Sequence, residues 1–271
     1  SNLEQMRAIV RACKEMGSPA MIGTSEGERN AIGLLEAVAL RQAFRHEFGI
    51  PVFLNADHSK SPETAQAAID AGYDSIHIDL SARPFSENVV DTRKIVEYAK
   101  KIARDRGQGI SIEGEVGYLV TDSSAVRSEK VDVPAESLAT PAMAKEFVEK
   151  TGVDRLAPAV GSFHGISTTT EKTIHIDLIQ KIRDAVPPTV ALVLHGGSGL
   201  SDQQIREAIE AGINNVHINT ELRVAYSQGI KEHLKAHPDE TTPYKMVIEG
   251  IEAMEKVVKA RLELFGATNK L

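Results

Sequence analysis

The sequence predicts an α/β fold of parallel βα units wound as a TIM (β/α)8 barrel, and three observations carry that prediction. Short β-rich runs alternate with longer stretches of helical periodicity along the chain. The length, 271 residues, is an ordinary size for one such barrel. Three histidines each close an apolar, strand-like run that then breaks into Gly, Ser or a polar turn: His58 in PVFLNADHS, His164 in LAPAVGSFHGI and His195 in TVALVLHGGSG. Strands that end together at one rim of a parallel barrel bring such distant residues to one point.

In chain order, apolar positions at helical spacing predict a first helix over 2–16. A strand at 19–24 (PAMIGT) and a helix over 30–48 follow, then a strand at 51–56 (PVFLNA). Ser61-Pro62-Glu63 starts a helix over 62–71, the Ser oxygen capping free amides and Pro fitting the first turn. Next come a strand at 74–79 (DSIHID), a helix over 86–105 and a strand at 109–114 (GISIEG). Helix 140–151, strand 155–160, helix 176–185 and strand 189–194 continue the alternation. Ser201-Asp202 caps a helix over 202–211, a strand at 213–218 follows, and helices over 221–235 and from about 243 to 264 close the chain. Gly72, Gly152 and Gly212 each separate a helix from a strand, as C-terminal caps do. This makes seven strands. A seven-strand barrel would leave a costly unpaired edge, so the first strand is expected to be absent from this sequence. Residues 116–139 and 161–175 form two long polar connections after strand ends, where loops of that length are usually functional. No repeat, low-complexity segment or linker divides residues 1–271, which read as a single domain.

Hydrophobic residues make up 42% of the chain and charged residues 25%, as in a globular protein with a large core. With a net charge of −7 and no basic run, nucleic acid is not an expected partner. No apolar stretch approaches the ~20 residues that span a bilayer, and no signal peptide is visible. One cysteine, Cys13, permits no internal disulfide and reads as a buried packing residue on a helix. The expected location is the cytoplasm.

Three imidazoles at one rim can hold a divalent metal and leave a position open for substrate. Asp57 beside His58 could add a proton-transfer carboxylate, but neighbours on a strand face opposite ways. Both reach one site only if the strand has ended; otherwise they are a capping Asp and a buried His. Gly165, and the run Gly196-Gly197-Ser198-Gly199 before a helix, expose amides able to hold phosphate oxygens. Glu113 and Glu115 share a face near one strand end, where they need a metal or a cationic partner; Asp79 ends another strand. His217 and Asn219 share a face near the last strand end, and Thr220 could complete a phosphate site. His77 reads as a core residue, and His46, His175, His233 and His237 as solvated.

With these motifs in order, the chain resembles the class II, metal-dependent ketose-bisphosphate aldolases, in the fructose- and tagatose-bisphosphate branch. The matching segments are NADHS, DSIHIDLSARPFSENV, ISIEGEVGYL, TGVDRLAPAVGSFHG, LVLHGGSGL, INTELR and VVKARLELFG. The resemblance implies a (β/α)8 barrel that cleaves or condenses a ketose 1,6-bisphosphate, giving dihydroxyacetone phosphate and glyceraldehyde 3-phosphate through a zinc-stabilised enediolate. It implies His58, His164 and His195 as zinc ligands; cobalt or iron would also suit them. Asp57 matches the acid that protonates the aldehyde oxygen or holds the water that does so. Glu115 and Asp79 match acids near the metal, which bind it in an alternative position in parts of the family. Gly165, Gly196, Gly197, Ser198 and Thr220 match the phosphate cradle, and Ser25 a serine beside the substrate. A homo-oligomer, dimer or tetramer, is implied as well.

The chain departs from the family pattern in the stretch Glu115–Ser124. Two glycines are missing, and the usual proton-transfer carboxylate falls on Ser123, with Asp122 the nearby candidate. His217 replaces an asparagine that contacts substrate, and Asn55 stands where many relatives have histidine. Two further readings therefore stay open: a zinc-dependent aldolase or lyase acting on a different phosphorylated substrate, and a non-catalytic phosphosugar-binding or partner subunit.

Overall fold

The computed structural model describes residues 2–120 and 125–271, which fold as two compact units. The first holds the chain up to Leu54 together with Asn219–Leu271; the second is Asn55–Ile218.

In the first unit, helix α1 (Leu3–Glu15) is capped by Asn2, whose side chain accepts from the Gln5 amide. Strand β1 (Ala20–Thr24) follows, then α2 (Glu26–Ile32) and α3 (Leu34–Phe48). The single helix predicted over 30–48 is thus two helices with Gly33 between them, and the first begins four residues early, where Ser25 and Glu28 form a capping box. Strand β2 (Val52–Ser59) starts here, and the Ala20 amide at the head of β1 donates to the Pro51 carbonyl at 3.0 Å. The C-terminal part adds α9 (Thr220–Ala236), α10 (Pro243–Met246) and α11 (Ile248–Leu264), so the predicted last helix is broken at Val247. Met6, Val10, Phe44, Met254 and Val258 are buried in this unit, and Arg11 ion-pairs with Glu255 at 2.5 Å.

In the second unit, β2 runs on beside β3 (Ser75–Ile78), β4 (Ser111–Val116), β6 (Arg155–Pro158), β8 (Ala191–Leu194) and β9 (Ile213–Val216), every adjacent pair parallel. With β1 at the other side of β2, the sheet has seven strands in sequence order among the described residues. Helices α4 (Pro62–Ala71), α5 (Phe85–Arg106), α6 (Pro141–Thr151), α7 (Ile176–Ala185) and α8 (Asp202–Glu210) make the crossovers. Ser61 and Ser201 cap α4 and α8 as the sequence indicates, each inside a capping box. The two long connections are tied together by a parallel two-residue ladder of β5 (Val126–Arg127) with β7 (Ile166–Ser167), a link too short for periodicity to reveal. Parallel strands covered on both faces read as continuous apolar runs, and Ile76, Ile78, Ile112, Leu156, Leu192, Val193 and Leu194 are fully or almost fully buried. No helix of the described residues is long and apolar enough to cross a membrane.

Candidate active site

The second unit gathers the predicted rim residues, and β2 shows how Asp57 and His58 both reach them. The strand does not end at residue 56; it continues to Ser59. Its register against β3 shifts between Ala56 and Ser59, and His58 takes a φ of 46°. That left-handed residue breaks the two-residue alternation, as a bulge does. Asp57 and His58 therefore both contribute ligand atoms to one cluster, with His77 and His195, in which these atoms lie within 4.8 Å of one another.

The imidazole rings pack closely. Centroids of His58 stand 4.7 Å from His164, 4.6 Å from His195 and 4.5 Å from His77. His164 meets His58 edge-on and is 6.1 Å from His195, and the ring of His217 lies 4.1 Å from that of His195. All three predicted metal ligands are thus neighbours, although His164 is outside the tightest ligand-atom groups found among the described residues.

Carboxylates fix the orientation of two of the rings. Asp79 Oδ2 lies 2.7 Å from His58 Nδ1 and 2.5 Å from Lys60 Nζ, and Asp79 Oδ1 accepts from Ser81 Oγ at 2.7 Å. Burial opposes the charge of Asp79, but the hydrogen bond from His58 and the cations around it hold its carboxyl far below the usual range. Glu113 Oε1 lies 2.7 Å from His195 Nε2, and its Oε2 lies 3.1 Å from Arg155 Nη2. Burial opposes ionisation here too, and the Arg155 charge overrides it. Burial and the neighbouring His217 push His195 well below its ordinary value, toward the neutral imidazole. Glu115 Oε1 accepts from Ser81 Oγ at 3.0 Å, and its Oε2 lies 3.3 Å from His77 Nε2. Asp57 is 3.3 Å from His217 Nδ1; burial works against its charge, but His58 and His217 keep it well below the usual carboxylate range.

These donors fit a divalent transition metal. An ionised Asp79 accepts a hydrogen bond from the Nδ1–H of His58 and leaves the lone pair on Nε2, a buried nitrogen with no hydrogen-bond partner among the described residues. Glu113 accepts a hydrogen bond from the Nε2–H of His195 and leaves the lone pair on Nδ1. Carboxylates that orient ligand imidazoles from behind in this way recur in metal centres.

Three contributors were not legible in the sequence. Arg155 neutralises Glu113; the two are direct partners in the β4–β6 register, and Arg155 also donates to Asn55 Oδ1 at 3.0 Å and to Ser75 Oγ. His77, read as a core residue, is fully buried between Glu113 and Glu115 at the heart of the cluster. Lys172 is 3% exposed, and its ammonium donates to the carbonyls of Phe163, Gly165, Gly196 and Ser198 at 2.7, 2.7, 2.9 and 2.5 Å. It clamps the loop after His164 to the loop after His195. The backbone is crowded at both loops: a Cβ on Gly165 would stand 2.3 Å from the carbonyl oxygen of Ala125, in the connection after β4, and one on Gly196 2.4 Å from that of Phe163. Both glycines also have positive φ, so no other residue fits.

Two more of the predicted residues, Gly197 and Ser198, belong to the loop after His195. The Gly197 amide donates to the His217 carbonyl at 3.2 Å, and Ser198 is buried. Ser25, Asn219 and Thr220 belong to the first unit, where Ser25 caps α2, Asn219 precedes α9 and a buried Thr220 opens it. Asp122 and Ser123 lie outside the described residues.

Known proteins are similar to this chain along its whole length. Residues 1–270 match the family model described as fructose-bisphosphate aldolase class-II. A fructose-bisphosphate aldolase of Geobacillus stearothermophilus is 36% identical over 275 residues, covering 100% of this chain and 90% of the relative. One from Staphylococcus aureus (strain Mu50 / ATCC 700699) is 35% identical, covering 100% and 91%. Among solved structures, the YdjI aldolase from Escherichia coli K12 superposes with a TM-score of 0.76 at 29% identity, covering 98% of this chain and 89% of that one. The chain belongs to the class II fructose-bisphosphate aldolase family and is accordingly an aldolase, a carbon–carbon lyase.

Proposed function

We propose that the protein cleaves and re-forms a ketose 1,6-bisphosphate, fructose or tagatose, with zinc or a similar divalent ion held by His58, His164 and His195. The observation that carries this reading is the paired orientation of His58 by Asp79 and of His195 by Glu113, which turns a lone-pair nitrogen of each away from its carboxylate. A metal bound there supplies Lewis acidity toward a ketone oxygen. Glu115, close to His58, is an alternative ligand. Asp57 is held as an anion, so its part is to hold the water that passes a proton to the aldehyde oxygen. Asp122 is the candidate base for the carbon-bound proton in condensation. Gly165, Gly196, Gly197 and Ser198 cradle the phosphate of the ketone half, above the positive charge of Lys172. The parallel strands, with their chemistry at the strand ends, support a (β/α)8 barrel as the architecture.

A second reading has its own support. His217 stands against both His195 and Asp57, inside the reacting cluster. An imidazole there, in place of the family's amide, favours a metal-dependent aldolase or lyase with a different phosphorylated substrate.

Coupled assays of triose phosphate release from fructose 1,6-bisphosphate and tagatose 1,6-bisphosphate separate the two. The first reading expects turnover that a chelator abolishes and zinc restores. Zinc-loaded protein inert to both sugars would sink it in favour of the second.

A further inference from the structure

A second group of metal-binding side chains sits on the hairpin of α9 and α11 in the first unit. His233 lies in the last turn of α9, His237 follows the helix at its C-terminal cap, and Glu249 lies in the first turn of α11. Each offers a ligand atom within 4.8 Å of the other two. Residues four apart on a helix share a face, and the two imidazole rings are 4.9 Å apart.

Two glycines bring the third ligand in. A Cβ on Gly229 would stand 2.5 Å from the Glu249 carbonyl oxygen, and one on Gly250 2.7 Å from the Tyr226 carbonyl oxygen. The helices therefore touch backbone to backbone. Gly229 is one turn before His233 on the same face, so this contact delivers the Glu249 side chain to His233.

Although sequence position reads His233 as solvated, it is only 8% exposed. Its Nδ1 lies 2.5 Å from Glu249 Oε2. Yet neither His233 nitrogen nor that oxygen, all buried, makes a directed hydrogen bond among the described residues. Three such atoms in one place are costly. A metal ion bound by one His233 nitrogen and by the Glu249 oxygen would account for two of them. Two imidazoles and one carboxylate suit Zn2+, Ni2+ or Cu2+ better than Mg2+ or Ca2+. Tetrahedral zinc with bonds of about 2.0–2.2 Å separates its ligand atoms by roughly 3.3 Å. The present contact must therefore open by less than an ångström or so, and the side chain of Glu249, 42% exposed, has the freedom to move.

We infer that His233, His237 and Glu249 form a second divalent transition-metal site, which leaves a fourth position to water and staples α9 to α11. It is separate from the metal chemistry of the rim and does not depend on it. The test uses the full chain, stripped with a chelator, reloaded with Zn2+ and dialysed, with zinc per chain counted by mass spectrometry. Wild type is compared with His237→Ala, which removes an exposed side chain, and with Glu249→Gln. The expected result is one zinc fewer per chain in each variant, affinity for that zinc about 10-fold or more weaker, and a smaller zinc-induced rise in Tm. The metal at the rim is common to all three proteins and cancels in the difference. Equal zinc content and equal Tm shifts in wild type and in variants with native circular dichroism would overturn the inference. So would a wild-type second zinc that is lost on dialysis.

Discussion

At the scale of single residues, the site depends on carboxylates that hold imidazoles. Asp79 is the clearest case, because it meets His58, Lys60 and Ser81 at once. Asp79→Asn keeps the size of the side chain and an oxygen that can accept, but removes the charge that draws the His58 proton onto Nδ1. Without that draw, the other tautomer competes and Nε2 offers its lone pair less often. The expected outcome is an apparent metal affinity ~10–100-fold weaker, the usual cost of losing such an orienting partner, with activity largely restored by excess zinc. Activity titrated against free zinc, buffered by a chelator, measures this directly. An unchanged zinc midpoint would show that Asp79 serves only Lys60 and Ser81.

At the scale of elements, the loops after His164 and His195 are held from beneath by one lysine. Four carbonyl dipoles converge on the Lys172 ammonium, and unpaired they would repel one another. Lys172→Met has similar length and no charge, so it leaves those carbonyls without a donor in a buried place. A destabilisation of about 2 kcal/mol or more is expected from such a loss. Because the charge also lies under the proposed phosphate cradle, KM for the bisphosphate should rise more than kcat falls. A variant with the same KM and lower stability alone would limit Lys172 to a structural part. None of this was legible in the sequence, where Lys172 sits in a polar, Thr-rich loop with no periodicity. The alternation of strand and helix, the capping serines and the three rim histidines were legible, because each follows from local pattern or turn chemistry. The bulge at His58 was not, since it arises from register against β3. Arg155 and Glu113 illustrate the same limit: they are partners across two strands, 42 residues apart in the chain, and only the sheet makes them neighbours.

At the scale of the whole molecule, one thiol reports on cooperative opening of the first unit. Cys13 is the chain's single cysteine and lies 3% exposed on α1, among Met6, Val10 and other buried side chains of that unit. Burial raises its thiol from an ordinary 9.0 to about 12. Two barriers therefore act together on a thiol reagent: it cannot reach the sulfur, and the nucleophilic thiolate is scarce. An exposed thiol would react roughly tenfold faster for each pH unit gained below its pKa. Cys13 reacts only after opening, and in the opened chain it titrates as an ordinary cysteine. Labelling in native buffer should thus be slow, and should accelerate across the urea range in which circular dichroism reports unfolding. If opening is fast and reversible relative to labelling, the protection factor gives the opening free energy of the unit that carries α1. Binding of zinc to the α9–α11 hairpin of that unit would then slow the labelling, since a ligand of the folded state lowers the opened population by mass action. Rapid stoichiometric labelling in native buffer would contradict the packing of α1.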